Sequence, residues 1–394
     1  MVMRELKLYW IAFSTDASFM LFIFSITRLM AETQSTLLEL GIFGGLSSIC
    51  YALSAPLGGR CSDVWGRRKV IAAGALAHIV ILLAFIQWQL SSFGFYVIGA
   101  LVGASVGFLH PPVIAWLTKG GISRLGSNLT GQRLFRFCVS WNVGMISGQA
   151  LGGWLFPVDP AFPLWIGVLL MSSVLVVILF EKSSVDLPIH FVKKGKTDSL
   201  EIQESSRTFV YLGWIANIAG AMGMSIIIHL FPHLIHELGI SAPIHGMMLV
   251  ANRITVLLTY SVMKLLTFWR YRFSITLLVQ LTALIGLLLL TYSDTIVFLT
   301  IGLILFAFLT GYNYFSSIFY STTSFDGRHQ GLASGIHEAT LAIGFGIGSL
   351  GGGIVGVWGG ARVPYQMVGL VLLLCILIQS LIYCKKGSRY NVQN

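Results

Sequence analysis

Ionisable side chains recur inside long apolar stretches of this 394-residue sequence. Asp16, Arg28, Arg136, Arg253 and Glu338 lie in such stretches, as do His110, His229, His233 and His337. A charge at the centre of a bilayer costs about 2.5–3.5 kcal/mol on insertion scales, so residues that keep one there face a bundle interior or a wet cavity. Desolvation favours the neutral form of a carboxylate, which can then load and release a proton. Asp16 and Glu338 are the candidates for that role. Arg136 and Arg253 have the charge to hold an anionic group or to pair with those acids. By position along the runs, Asp16, His110, Arg136 and Glu338 form one layer, with His337 beside Glu338. Arg28, His229 and His233 form a second. Tyr312-Asn313-Tyr314 adds groups that can hydrogen-bond or stack a ligand. His229, His233 and His236 have the spacing of metal ligands on one helical face, but Pro232 interrupts that helix, and no metal is expected. His78 lies in a peripheral run and reads as packing.

These residues need a frame, and composition names its class. Apolar residues make up 56% of the chain and charged ones only 10%, against roughly 25% charged in an average soluble domain. A soluble enzyme and a disordered chain are both excluded. The sequence describes an all-α integral membrane protein. Twelve apolar runs fall near 8–30, 35–57, 70–89, 92–117, 134–156, 161–180, 209–232, 245–266, 273–292, 295–320, 331–357 and 364–384. Each is near the roughly 20 residues that a span requires. The first run has no small-residue cleavage site after it and reads as a retained helix. Placing both termini in the cytoplasm puts most of the 25 Lys and Arg on that side, as orientation by basic loops requires. The same bias explains the net charge of +10 without nucleic acid, for which no basic-aromatic module is present. The five cysteines include no C-x-x-C pair and suggest no disulfide framework.

The polar stretch 181–208 divides the chain into halves at 1–180 and 209–394. Trp10-Ile11-Ala12 returns as Trp214-Ile215-Ala216, Trp65 and Arg68 as Trp269 and Arg272, and Gly107 as Gly311. Gly144, Gly148 and Gly152 return as Gly344, Gly348 and Gly352. The offset is 204 in the first three cases and 200 in the last. A nearly constant shift argues for two pseudo-symmetric six-helix bundles. Paired repeats of this kind are a transporter architecture, with the solute held between them near the midplane.

The strongest local motif is Gly59-Arg60-Cys61-Ser62-Asp63-Val64-Trp65-Gly66-Arg67-Arg68-Lys69, between the second and third runs. It resembles the signature loop of the major facilitator superfamily, with Val64 and Cys61 as departures. That resemblance implies a twelve-helix fold in which Gly59, Asp63, Gly66, Arg67 and Arg68 latch the two halves in the outward-facing state. The second-half copy keeps only Trp269, Arg270 and Arg272, so the latch is expected to be asymmetric. The Gly144, Gly148 and Gly152 spacing resembles the family's antiporter motif, with Gln149 in place of the usual Pro. Its physical reading is close helix packing.

These observations converge on a non-enzymatic secondary transporter in the plasma (inner) membrane. It is expected to be a monomer that moves a small anionic or zwitterionic solute by alternating access, with proton coupling. Its other partners are membrane lipids, and no cofactor is expected. No G-x-x-x-x-G-K-[ST] loop for ATP is present. The alternatives are a drug/proton antiporter and a ferroportin-like exporter of divalent metal.

Overall fold

A computed structural model describes residues 2–87, 92–118, 126–181, 200–324 and 330–386. Among the described residues the chain is helical: α1 Val2–Glu32, α2 Leu37–Trp65, α3 Arg67–Gln87, α4 Ser92–Gly107, α5 His110–Thr118, α6 Gly126–Leu155 and α7 Phe162–Leu179. The second half follows as α8 Leu200–His229, α9 Phe231–Glu237, α10 Ala242–Leu265, α11 Phe273–Tyr292, α12 Ile296–Ser324, α13 Gln330–Gly359 and α14 Val363–Lys386. Helices are what apolar sequences of this length must form in lipid, where each backbone N–H and C=O needs an internal partner. Eleven stretches among the described residues are long and apolar enough to cross a membrane. α6 stands where the fifth run was expected; it carries Arg133, Arg136, Asn142 and Gln149 and is not among the eleven. Two runs differ from a single straight helix. The fourth is split into α4 and α5, and the seventh ends at His229 before the short α9. Of the polar stretch 181–208, residues 182–199 lie outside the described residues, and 200–208 form the start of α8 rather than a linker.

The start of α2 shows why boundaries fall where they do. The Glu39 carboxylate accepts from the Thr36 backbone N–H at 2.7 Å, and the Glu39 N–H donates to Thr36 Oγ1 at 3.2 Å. This reciprocal pair is a capping box. At the other end, Gly66 takes a φ of +89°, a turn conformation that costs glycine least.

The helices form two compact units. The first comprises 1–33, 46–195 and 241–250, and the second 34–45, 196–240 and 251–394. In the first unit α1 is the central helix, packed on α6, α7 and the α4–α5 pair, while α3 packs on α7 and α4. In the second unit α8 takes the central place, packed on α13, α12 and α14, and α11 packs on α12 and α14. α1 and α8 thus occupy equivalent positions, as the 204 offset predicts.

The repeated glycines show what the duplication preserves. Gly144 lies against the Phe13 carbonyl of α1, and a Cβ at Gly148 would sit 2.6 Å from the Ala17 carbonyl and 2.7 Å from Met20 Cβ. In the second unit a Cβ at Gly344 would sit 2.6 Å from the Ile218 carbonyl, and one at Gly352 would sit 2.7 Å from Leu230 Cδ1 on the residue after α8. Small residues let backbones approach this closely, and van der Waals packing then holds the pair. Gly148→Leu and Gly348→Leu should each lower stability by about 1–3 kcal/mol, the usual cost of overpacking. Gly369 has nothing within 4 Å of its Cβ position, so Gly369→Ala should leave it unchanged. Thermal unfolding in detergent measures the contrast.

Candidate functional site

The joint between α4 and α5 builds the first site. Pro111 and Pro112 have no N–H, so the helix loses two donors there. The chain turns tightly, and the Phe108 and Leu109 amides donate to the Ser105 and Val106 carbonyls at 3.1 and 2.9 Å. α5 then opens on His110. Its Nε2 lies 3.1 Å from Oδ2 of Asp16 on α1. Asp16 is 5% exposed. The Tyr51 ring of α2 meets the His110 imidazole edge to face, with centroids 6.4 Å apart. A carboxylate and an imidazole from two helices therefore share one buried contact. The sequence placed both in one layer but did not pair them.

Arg133 and Arg136 differ. Arg133 pairs with Glu5 at 2.6 Å, whereas Arg136 is exposed one turn further along α6. Arg28 is buried and bonds Glu32 at 2.7 Å. His78 is fully buried, with Nδ1 2.9 Å from Ser105 Oγ and Nε2 3.2 Å from Ser18 Oγ. Ser18 in turn donates to the Gly167 carbonyl at 3.2 Å. That cluster ties α1, α3, α4 and α7 together.

In the second unit the positions equivalent to Asp16 and His110 are Gly220 and Tyr314. The polar group there is Asn313, which donates to the Ala216 carbonyl at 2.8 Å. Nearby, Asn217 Nδ2 donates to Thr340 Oγ1 at 3.0 Å. Tyr312 bonds Thr276 at 2.9 Å and joins an aromatic core with Trp269, Phe209 and Tyr320. Tyr314 is half-buried beside Tyr260, with ring centroids 6.1 Å apart. Arg253 is buried on α10, and Glu338 is half-buried on α13. His337 falls in α13, but its side chain lies outside the described residues.

The histidines at the end of the seventh run, on α8 and α9, do not share a ligand. α8 ends at His229, and Pro232 falls in the first turn of α9. His229 Nδ1 lies 2.9 Å from Ser349 Oγ and 3.0 Å from the Ser225 carbonyl. His233 Nε2 lies 3.2 Å from Glu237, and His236 Nε2 lies 3.5 Å from Gln34 Nε2. Burial holds the His233 imidazole below its ordinary value, although Glu237 opposes the shift. Among the described residues no three His, Cys, Asp or Glu side chains come together as metal ligands. One functional candidate escaped the sequence reading. His245 is fully buried at the start of α10, stacked on Phe24 with centroids 4.8 Å apart, within reach of the Arg28 charge. It sits at the edge of the eighth apolar run, where only its burial distinguishes it from a loop residue.

The signature loop joins α2 to α3 through Gly66. Asp63 is exposed with its charge acting on Arg67, and Arg68 donates to the Leu179 carbonyl at the end of α7. Ser62 donates to the Gly59 carbonyl at 2.7 Å. The duplicated tryptophans diverge: Trp65 is 64% exposed, whereas Trp269 is 1% exposed inside the aromatic core.

Comparison with known proteins agrees with this arrangement. Sequence comparison finds no match among curated proteins. In structure the chain is similar to a bacterial homologue of the human lysosomal transporter Spinster in an inward-facing, occupied conformation, at 13% identity and a TM-score of 0.72, covering 97% of this chain and 96% of that one. It is also similar to the nucleoside transporter NupG, at 12% identity and a TM-score of 0.69, covering 96% of this chain and 99% of that one. The human organic anion transporter MFSD10 (TETRAN) follows at 16% identity and a TM-score of 0.62, covering 95% and 98%. At these identities the likeness establishes the fold. The family model of the Major Facilitator Superfamily matches the sequence over residues 8–318 and again over 213–390. A model that fits nearly the whole chain, and a second time over its duplicated half, makes this multi-pass membrane protein a transporter of the Major Facilitator Superfamily.

Proposed function

We propose that the chain is a proton-coupled secondary transporter of a small anionic or zwitterionic solute, working by alternating access with both termini in the cytoplasm. Residues 1–180 and 209–394 serve as its two six-helix halves, as a monomer in the plasma (inner) membrane. The observation that carries this reading is the buried Asp16–His110 contact. With Asp16 ionised and His110 neutral, the contact holds one negative charge. One added proton makes it a neutral ion pair, and the proton belongs to the pair rather than to either residue. Neutralising a buried charge removes a desolvation cost of several kcal/mol per ion. Proton loading therefore changes which conformation of the surrounding helices is favoured. The equivalent positions in the second unit, Gly220 and Tyr314, carry no such pair, so this coupling step is assigned to the first half. Glu338 is proposed as a second titrating group. Arg136, exposed on α6, supplies the charge for an anionic solute, and Arg253 a second such charge.

Asp16→Asn should abolish solute accumulation driven by an imposed pH gradient in proteoliposomes while leaving gradient-free exchange intact. His110→Gln should slow gradient-driven uptake roughly tenfold or more, the scale of a lost proton-transfer partner. Gradient-driven accumulation at the wild-type level in Asp16→Asn removes the proposal.

A panel of anionic, zwitterionic, neutral and cationic solutes tests the solute class. Arg136→Ala should raise KM for an anionic solute about tenfold, equivalent to about 1.4 kcal/mol, and leave a neutral one unaffected. A preference for cations in the wild type favours drug efflux instead.

The loop is proposed as the latch of the outward-facing state. Asp63→Asn should slow transport about threefold, the scale of one exposed ion pair, with expression and melting temperature unchanged. Unchanged transport removes that role.

A further inference from the structure

Two backbone crossings, one in each unit, share a design that the coupling site does not use. In the second unit the first turns of α2 pack on α13. A Cβ at Gly41 would lie 2.9 Å from Gly353 Cα, and one at Gly353 would lie 3.0 Å from Gly41 Cα. In the first unit the start of α10 packs on α6. There a Cβ at Gly153 would lie 3.1 Å from Gly246 Cα, and one at Gly246 would lie 3.0 Å from Gly153 Cα. Gly353 follows Gly153 at the 200 offset, so the two crossings are counterparts. Chain connectivity places both at the helix ends remote from the N-terminus.

Each crossing holds a buried histidine. At the first, His229 binds Ser349 and the Ser225 carbonyl, and the α2 backbone rests directly on its ring. A Cβ at Gly44 would lie 2.5 Å from His229 Cγ and 2.6 Å from Ser349 Oγ. Phe43 meets the same imidazole edge to face at 6.3 Å. At the second, His245 lies one residue from Gly246 and stacks on Phe24. Both rings are buried, at 3% and 0% exposure. The charged and titratable groups around them are few. Facing His229, α2 contributes only Glu39, which is held by Thr36, and α13 has none between residues 341 and 359. Beyond the break after α8 stand His233, His236 and Glu237. Facing His245, α1 contributes Arg28 with its partner Glu32, residues 144–155 of α6 contribute none, and α10 contributes none other before Arg253.

The geometry points to His229 and His245 as acid-sensitive bolts of these two crossings. A neutral imidazole fits a dry contact between backbones, whereas an imidazolium needs water or a counter-charge. At the first crossing the protonated ring meets hydroxyls and one carbonyl, and at the second it meets a guanidinium charge. Protonation therefore favours the arrangement in which each ring is hydrated and the glycine crossing is parted. This rests on the alternating-access reading, in which these ends close and open in turn. It makes acidity on that side a conformational signal independent of the proton carried by Asp16 and His110.

Spin labels on a cysteine-free background read the crossings directly, at Leu38→Cys with Ile354→Cys and at Trp154→Cys with Met247→Cys. All four positions are exposed. Lowering the pH from about 7.5 to about 5, across the ordinary histidine range, should lengthen both distance distributions in the wild type. His229→Gln should remove the response of the first pair, and His245→Gln that of the second. Gly44→Ala, which crowds the ring sterically, should lengthen the first distance already at neutral pH. No lengthening in the wild type on acidification overturns the inference, as does lengthening that persists in the His229→Gln/His245→Gln double variant. Solute flux measured on the same samples separates the two proposals. An intact distance response with flux indifferent to a pH gradient sinks proton coupling and leaves the bolts standing.

Discussion

A polar side chain that enters the interior of a helical membrane protein must bring its partner with it, since no water there takes the partner's place. That constraint sets several of the contacts between helices here. His78 engages serines from two helices, and the Gln280 amide donates to Gln379, whose own amide donates to the Leu212 carbonyl at 2.6 Å. Asn313 finishes on the backbone of α8. Each is a fixed tie between helices whose lipid-facing sides are interchangeable. Asp16 and His110 obey the same rule with one difference: both partners of their contact are ionisable groups.

Duplication supplied the two halves with one plan, and the polar residues were then divided between them. The glycine rows of α6 and α13 kept their roles against α1 and α8. The ionisable pair belongs to the first unit, while the second holds amides and hydroxyls in the corresponding region. The tryptophans separate in the same way. Trp269 donates to the Met263 and Leu266 carbonyls at 2.8 Å and anchors an aromatic core, whereas Trp65 stands in the open. One loop copy is buried in a core and the other is exposed.

Much of this was legible in the residues. Runs of about twenty apolar positions gave the spans, because lipid thickness sets their length. The constant offset gave the duplication, and several of the glycines that carried it, Gly144, Gly148, Gly344 and Gly348, lie against backbone atoms of α1 and α8. Azimuth was not legible. A helix apolar on nearly every side leaves little periodicity to say which face meets which neighbour. Asp16 and His110 could therefore be placed at one depth but not joined. Tyr312 and Asn313 looked free to meet a ligand until Thr276 and the Ala216 carbonyl supplied their partners. His245 was overlooked because a histidine at the edge of an apolar run looks the same whether it faces solvent or a neighbouring helix.

The tight turn before α5 has a mechanical meaning. A continuous helix transmits rotation along its whole length, but one interrupted by two prolines lets its segments swivel separately. His110 is the first residue beyond that joint, so a small change of angle there is felt first as a change in its separation from Asp16. The fold thus places the pair proposed to carry the proton across this joint, where bending and pair separation are one coordinate.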